Sequence, residues 1–207
     1  MSTSILYHGF GLVGYDYMRT QYREGKIIFT IQHKRDKIRC PACRSRDIVL
    51  RGTTARRFRA IPIGHKRVFF DLEVQRIGCR RCSCIRQVDL GFADPRFSYT
   101  HAFERYALEL SRLMTIRDVA RHLNISWDVI KEIQKRDLIR RFSKPSLKHL
   151  KRIAIDEISV RKGHHYLTVV LDMIAGAVIF VGDGKGAAAL EPFLIFLKQR
   201  LFLTISM

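Results

Sequence analysis

The sequence predicts an α+β chain of several domains. Three observations carry this: a cysteine-bearing stretch with strand-like alternation, a helical middle without Gly or Pro, and a closing order of strand, strand, strand, helix. Residues 1–98 form the first part. In Val68 to Ile77, Phe70, Leu72 and Val74 alternate with Asp71, Glu73 and Gln75, as a strand with one buried face requires. Residues 99–145 form the second part: helix formers with apolar spacing near 3.6 fill 99–142, and Ser143 to Pro145 supplies a break. An additional helix is expected over Ala102 to Met114. The third part, 150–207, reads as strands at Ile153 to Val160, Tyr166 to Met173 and Ala177 to Val181, then a helix at Ala187 to Arg200.

Charge narrows the function. Of the 207 residues, 38 are Lys or Arg and 19 Asp or Glu, a formal net charge of +19. Residues 1–150 hold 31 basic and 14 acidic side chains, against 7 and 5 in 151–207, so the basic surface belongs to the first two parts. Its natural partner is a polyanion, because neutralised phosphates release condensed counterions. No apolar run is long enough to span a bilayer; Tyr166 to Val181 comes closest and contains Asp172. The amino terminus lacks a signal-peptide pattern, so a cytoplasmic, nucleoid-associated protein is expected, where five cysteines serve as metal ligands or free thiols.

The strongest chemical signal is the pair Cys40-Pro41-Ala42-Cys43 and Cys79-Arg80-Arg81-Cys82. Each C-x-x-C places two thiolates on a tight turn, and two such turns complete a tetrahedral sulfur site, for which zinc is the expected metal. Such a site is structural, since four thiolates leave no open position; the alternative is two unrelated pairs of thiols. The loop 44–78 is long for a ribbon and must contain strands. Cys84 is a spare thiol and His65 a surface histidine. Arg39, Arg44, Arg46, Arg80, Arg81 and Arg86 surround the knuckles, either for phosphate contact or as a solvated basic face.

Ile116 to Lys135 has the spacing of a helix-turn-helix. Val119, Leu123, Ile125, Ile130 and Ile133 would form the shared core, with Ala120 small where the helices approach. Asn124 falls at the turn and tolerates left-handed backbone, and Ser126 follows as a helix cap. Ser126, Trp127, Asp128, Lys131 and Glu132 are then the side chains offered to base edges in the major groove, with Lys135 and Arg136 suited to phosphates. An ordinary helical hairpin is the alternative, and Trp127 has a second reading as core or as a partner contact.

In Arg152 to Ser159, Asp156 and Glu157 are neighbours on a strand and point to opposite faces, so they are not a simple catalytic pair. Asp156, flanked by Ile153 and Ile155, reads as a buried carboxylate and a magnesium ligand, or else as one satisfied by backbone, Arg161 or Lys162. Asp172 is equally ambiguous. Gly182-Asp183-Gly184-Lys185-Gly186-Ala187 matches a pyrophosphate cradle, but a glycine-rich hairpin exit suffices to explain it.

Taken together, C-P-A-C, C-R-R-C, T-I-R-D-V-A-R-H-L-N-I-S-W-D-V-I-K and I-A-I-D-E-I-S-V-R-K-G-H-H-Y-L-T-V-V-L-D resemble the insertion-sequence transposases of the ISL-three family, over residues 40 to about 197. The resemblance implies a small zinc-ribbon-like β module, a helix-turn-helix and the start of an RNase H-like DDE catalytic domain. It also implies double-stranded DNA, the terminal repeats of the element, as partner, and a possible homo-oligomer. Asp156 corresponds to the first acid of the family, which uses magnesium to activate water for phosphodiester cleavage and then strand transfer. The family's later acids are expected beyond this chain, so no transposition by it alone is expected. A catalytically inactive DNA-binding regulator or inhibitor of transposition is the alternative.

Overall fold

The computed structural model describes residues 5–143, 147, 149–161 and 163–205, with side chains as far as Lys198 apart from that of Arg161. Two compact units divide between Lys135 and Arg136. In the first, a short helix α1 (Ile5–Phe10) precedes β1 (Tyr15–Arg23), β2 (Lys26–His33), β3 (Ile48–Ile63), β4 (Lys66–Cys79) and β5 (Ile85–Gln87). The strands lie in the order β1-β2-β4-β3 with β5 also on β4; β2 and β4 run parallel and the other pairs antiparallel.

The alternation of β4 sets the core. Val68, Phe70, Leu72 and Val74 are buried and Glu73 is exposed. Register places Phe29 of β2 and Phe58 of β3 beside Phe70 on the same face. Phe10 and Phe92 then close over it edge-on, with ring centroids 5.1 and 6.2 Å from Phe70. Edge-to-face rings bury large apolar area while matching quadrupoles, and this explains why the buried face is so rich in Phe. α1 is too short for a periodic signal, yet it contributes Leu6 and Phe10 to this core.

The same unit continues into α2 (His101–Leu110), α3 (Ile116–Leu123) and α4 (Trp127–Phe142). Thr100 caps α2 by accepting from the Phe103 N–H, and Thr115 caps α3 by accepting from the Asp118 N–H. α2 stops four residues short of the expected Met114. Leu113 is 84% exposed with no core to face, and Thr115 is already committed as the next cap. Asn124 ends α3 with left-handed backbone, φ 50° and ψ 59°, as expected of the turn. Phe103, Ala107, Val119, Ala120, Leu123, Ile130 and Ile133 form a separate buried core, and Ile125 packs against it half-buried.

The second unit contains the end of α4, an antiparallel sheet β6-β7-β8 and helix α5 (Ala187–Ile205). The strands span Ile153–Arg161, His165–Asp172 and Ala177–Asp183, close to the expected segments. α5 covers one face of the sheet: Phe193 is buried with its ring 5.4 Å from that of Phe180. Gly182 permits this approach, since a Cβ there would stand 2.2 Å from the Ala189 carbonyl oxygen. α4 ends at Phe142, where a break is expected; Lys144 and Pro145 lie outside the described residues.

Candidate metal and DNA-binding sites

The two knuckles come together at one end of the first sheet. Cys79 is the last residue of β4, paired with Ile48 of β3, and Cys40 lies in the loop after β2. Both knuckles close alike: Arg44 after Cys43 and Ser83 after Cys82 take left-handed backbone, with φ 59° and 57°. Backbone amides fix the turns, Arg44 N–H donating to the Cys40 carbonyl at 2.9 Å and Cys79 N–H to the Cys84 carbonyl at 2.9 Å. The sulfurs of Cys40, Cys43, Cys79 and Cys82 all lie within 4.8 Å of one another. Four thiols converging at this spacing fit one tetrahedral zinc ion, and their donor set leaves no ligand position for water. Backbone N–H groups of the first knuckle, that of Cys43 before that of Ala42, favour the Cys40 thiolate and hold its pKa down to about 6.

Cys84 is close but separate. Its sulfur is 3.4 Å from that of Cys40, yet it is not part of the mutually close group of four. His65 is exposed at the turn between β3 and β4, away from the sulfur cluster. Among the surrounding arginines, Arg44 and Arg80 are drawn to Asp89 and Asp47 at 3.8 and 3.6 Å, while Arg39 donates to the Asp36 and Ile38 carbonyls. Arg46, Arg81 and Arg86 are exposed.

The helix-turn-helix presents its second helix outward at the start. Ser126, Trp127, Asp128, Lys131, Glu132 and Lys135 are exposed, whereas Arg136 is half-buried. The Ser126 hydroxyl accepts from the Asp128 N–H at 3.2 Å, so the serine does cap this helix. Trp127 is 48% exposed and therefore outside the core, with the Lys131 ammonium 5.5 Å from its ring centroid. An exposed indole held by a cation–π contact at the start of the second helix is an arrangement suited to a groove wall of DNA.

The acids of the second unit separate as strand geometry requires. Asp156 opposes Val169 and Glu157 opposes Thr168, on opposite faces of the sheet. Asp156 is exposed, which corrects the expectation of a buried carboxylate: β6 is an edge strand, and its flanking Ile155 is itself 50% exposed. Its Oδ1 accepts only from the adjacent Glu157 N–H, at 2.8 Å, among the described contacts; Lys162 and the Arg161 side chain lie outside them. Glu157 accepts from the Gly186 N–H at 2.7 Å, and the Thr168 hydroxyl donates to the Gly184 carbonyl at 3.0 Å. A carboxylate thus occupies an amide that a pyrophosphate would need, and the glycine-rich segment serves as a pinned hairpin exit. Asp172 is buried and accepts from the Ile174 and Ala175 N–H groups, closing the β7–β8 turn.

Three family models match in the order of these parts. They are the zinc-finger of transposase IS204/IS1001/IS1096/IS1165 over residues 36–82, the helix-turn-helix domain of transposase family ISL3 over 88–137, and an ISL3 transposase (DDE) domain over 153–204. The chain belongs to the ISL3 transposase family. Curated relatives agree: the transposase for insertion sequence element IS1001 of Bordetella parapertussis is 29% identical over 157 residues, covering 74% of this chain and 38% of the relative. The transposase for IS1557 of Mycobacterium tuberculosis is 30% identical over 159 residues, 75% of this chain and 35% of the relative. This ISL3 chain therefore spans a little over a third of the length of these relatives. No solved structure matches it. The zinc-finger match includes all four converging cysteines, which supports a structural zinc ion, and the helix-turn-helix match implies DNA binding. No helix among the described residues is long and apolar enough to cross a membrane.

Proposed function

We propose that this chain is the DNA-gripping part of an ISL3 transposase, binding the double-stranded terminal repeats of its insertion sequence. The observation that carries this reading is the exposed start of α4: Ser126, Trp127, Asp128, Lys131 and Glu132 stand clear of a core that already buries Val119, Leu123, Ile130 and Ile133. These side chains read base edges in the major groove, while Lys135 and Arg136 meet phosphates. Zinc at Cys40, Cys43, Cys79 and Cys82 holds the β module on the same unit.

In the second unit, Asp156 is the proposed first catalytic acid and magnesium ligand. Its position on the sheet face away from α5 leaves carboxylate oxygens accessible to a cation, and its place in I-A-I-D-E-I-S carries the family resemblance. A bound magnesium ion would supply Lewis-acid activation of water toward a phosphodiester. Further acids are needed for two-metal cleavage, so binding without strand transfer is the behaviour proposed for these 207 residues by themselves.

The test is anisotropy of labelled duplex element ends and scrambled duplex with the zinc-loaded chain, beside a magnesium-dependent nicking assay. Tighter binding to element ends, lost in Lys131→Ala with Glu132→Ala, supports the reading. Equal affinity for both duplexes removes sequence recognition from it. Nicking that disappears in Asp156→Ala shows that this chain is catalytically sufficient, against the binding-only behaviour.

A further inference from the structure

One buried cation joins the metal-bearing sheet to the helix-turn-helix. β3 begins beside the zinc thiols, where Ile48 pairs with Cys79, and runs to Arg59 and beyond. At Arg59 the strand docks the segment leading into α2: its N–H donates to the Ser98 carbonyl at 2.8 Å, and its carbonyl accepts from the Thr100 N–H at 2.9 Å. The side chain is 7% exposed and points at the turn of the helix-turn-helix. Its Nη2 donates to the Leu123 carbonyl at 3.1 Å, and its guanidinium lies 4.9 Å from the Phe69 ring centroid and 5.7 Å from that of Phe103. Phe69 belongs to the sheet and Phe103 to α2.

Leu123 is the last residue of α3, so this cation meets the negative end of the helix dipole, where a positive charge is stabilised without a carboxylate partner. Burial, and then the charge of Arg67, lower the Arg59 pKa to about 10, which leaves it protonated at neutral pH. Next in the chain come Asn124, Ile125 and Ser126, the three residues that set the direction of α4. The packed pair α3 and α4 has its own core, which does not include Arg59. Losing the guanidinium would therefore remove the direct tie between the α3–α4 turn and the sheet while leaving the pair folded.

We propose that Arg59 is a positioning residue that ties the turn of the helix-turn-helix to the strand starting at the zinc thiolates, so that α4 is held for base reading only while the ribbon holds its metal. This rests on the DNA-binding reading above. Strand β3 is the physical link: the eleven residue-to-residue steps from Ile48 to Arg59 span about 35 Å at strand rise.

Trp127, the single tryptophan of the chain, lies at the first position of α4 and reports on it. The experiment removes zinc with a chelator from the full wild-type chain, R59M and R59K, following Trp127 emission together with affinity for element-end and scrambled duplexes. In the wild type, metal removal shifts Trp127 emission and lowers the preference for element ends. Zinc-loaded R59M keeps its metal and its affinity for scrambled duplex but loses roughly tenfold in that preference, the size of one hydrogen bond from a charged donor. Its Trp127 emission no longer follows zinc, and R59K recovers part of the response.

Two results overturn the proposal: Trp127 following zinc in R59M as in the wild type, or wild-type emission indifferent to zinc. A loss in R59M that is equal on both duplexes, with the salt slope reduced by about one, also overturns it, because Arg59 would then be a phosphate contact. Should R59M fail to fold, wild type and R59K decide between the same outcomes. A wild-type chain that binds neither duplex sinks the DNA reading instead, while the link between zinc and Trp127 is still read from emission alone.

Discussion

The two units bury their apolar side chains very differently. In the first, Phe58, Phe70, Phe103, Ile130 and Ile133 are fully buried, the helices α2 and α3 have hydroxyl caps, and a tetrathiolate site closes the end of the sheet. In the second, Val170 and Phe193 are buried beneath α5, but Ile153, Ile155, Ile158 and Val160 of β6 and Val178 and Val181 of β8 are exposed. A groove of about 840 Å³ lined by Leu138, Phe142, Val178, Phe180, Val181 and Phe196 continues this apolar surface. The first unit completes its own cores, while in the second α5 covers one face of the sheet over β7 and β8 and leaves the other face uncovered.

The largest effect should come from the metal. A structural zinc site contributes on the order of 10 kcal/mol to the fold that holds it, so Cys79→Ser should abolish the cooperative unfolding of the five-stranded sheet, while the separate core of α2, α3 and α4 stays folded. Hydrogen exchange should rise across β3 and β4 and stay unchanged across β7. Equal loss of protection in both units would mean that they fold as one. Next in size is Phe103→Ala, which empties the core between α2 and α3 and should cost about 3–5 kcal/mol. Calorimetry should show this in the first transition only, with zinc stoichiometry retained.

Periodicity made much of this legible. Alternation in Val68 to Ile77 identified the buried face of β4, and the spacing of Val119, Leu123, Ile130 and Ile133 identified the helical pair, because both patterns are local. The C-x-x-C pairs announced a convergence that long-range register then produces, through Ile48 against Cys79. Arg59 was invisible for the opposite reason. In R-R-F-R-A nothing distinguishes it from Arg57, which pairs with Asp71 at the surface at 2.6 Å; only the docking of 98–100 on β3 turns one of them inward. The burial of Asp156 was misread because apolar neighbours on a strand indicate a core only when something covers them, and β6 is exposed. Likewise, Glu157 reaches the Gly186 amide across 29 residues, a contact that no local pattern announces.

Gly182→Ala sharpens the contrast from the other side. Its new Cβ would meet the Ala189 carbonyl at 2.2 Å, so α5 must lift from the sheet. A loss of roughly 2–3 kcal/mol is expected in the second unit alone, read by hydrogen exchange at Val170 and Phe180. An unaltered second unit would show that α5 does not pack there in solution. Asn124→Val should cost about 1–2 kcal/mol in the first unit because the turn needs left-handed backbone, whereas Asn124→Gly should stay within a few tenths. Equal penalties from both changes would point to the Asn side chain rather than the backbone.

The smallest expected effect is the most direct test of the uncovered face. Ile158 shares the face of Asp156 and is 48% exposed on edge strand β6, and replacing it with Thr keeps the β-branched shape that suits a strand. The change should alter stability by no more than about 0.5 kcal/mol while reducing self-association measured by light scattering, since exposed apolar edge strands template pairing. A cost of several kcal/mol would reverse the comparison, because an isoleucine can contribute that much only when buried. The face would then be covered in solution by another copy of the chain, and sedimentation should show a dimer that Ile158→Thr dissociates.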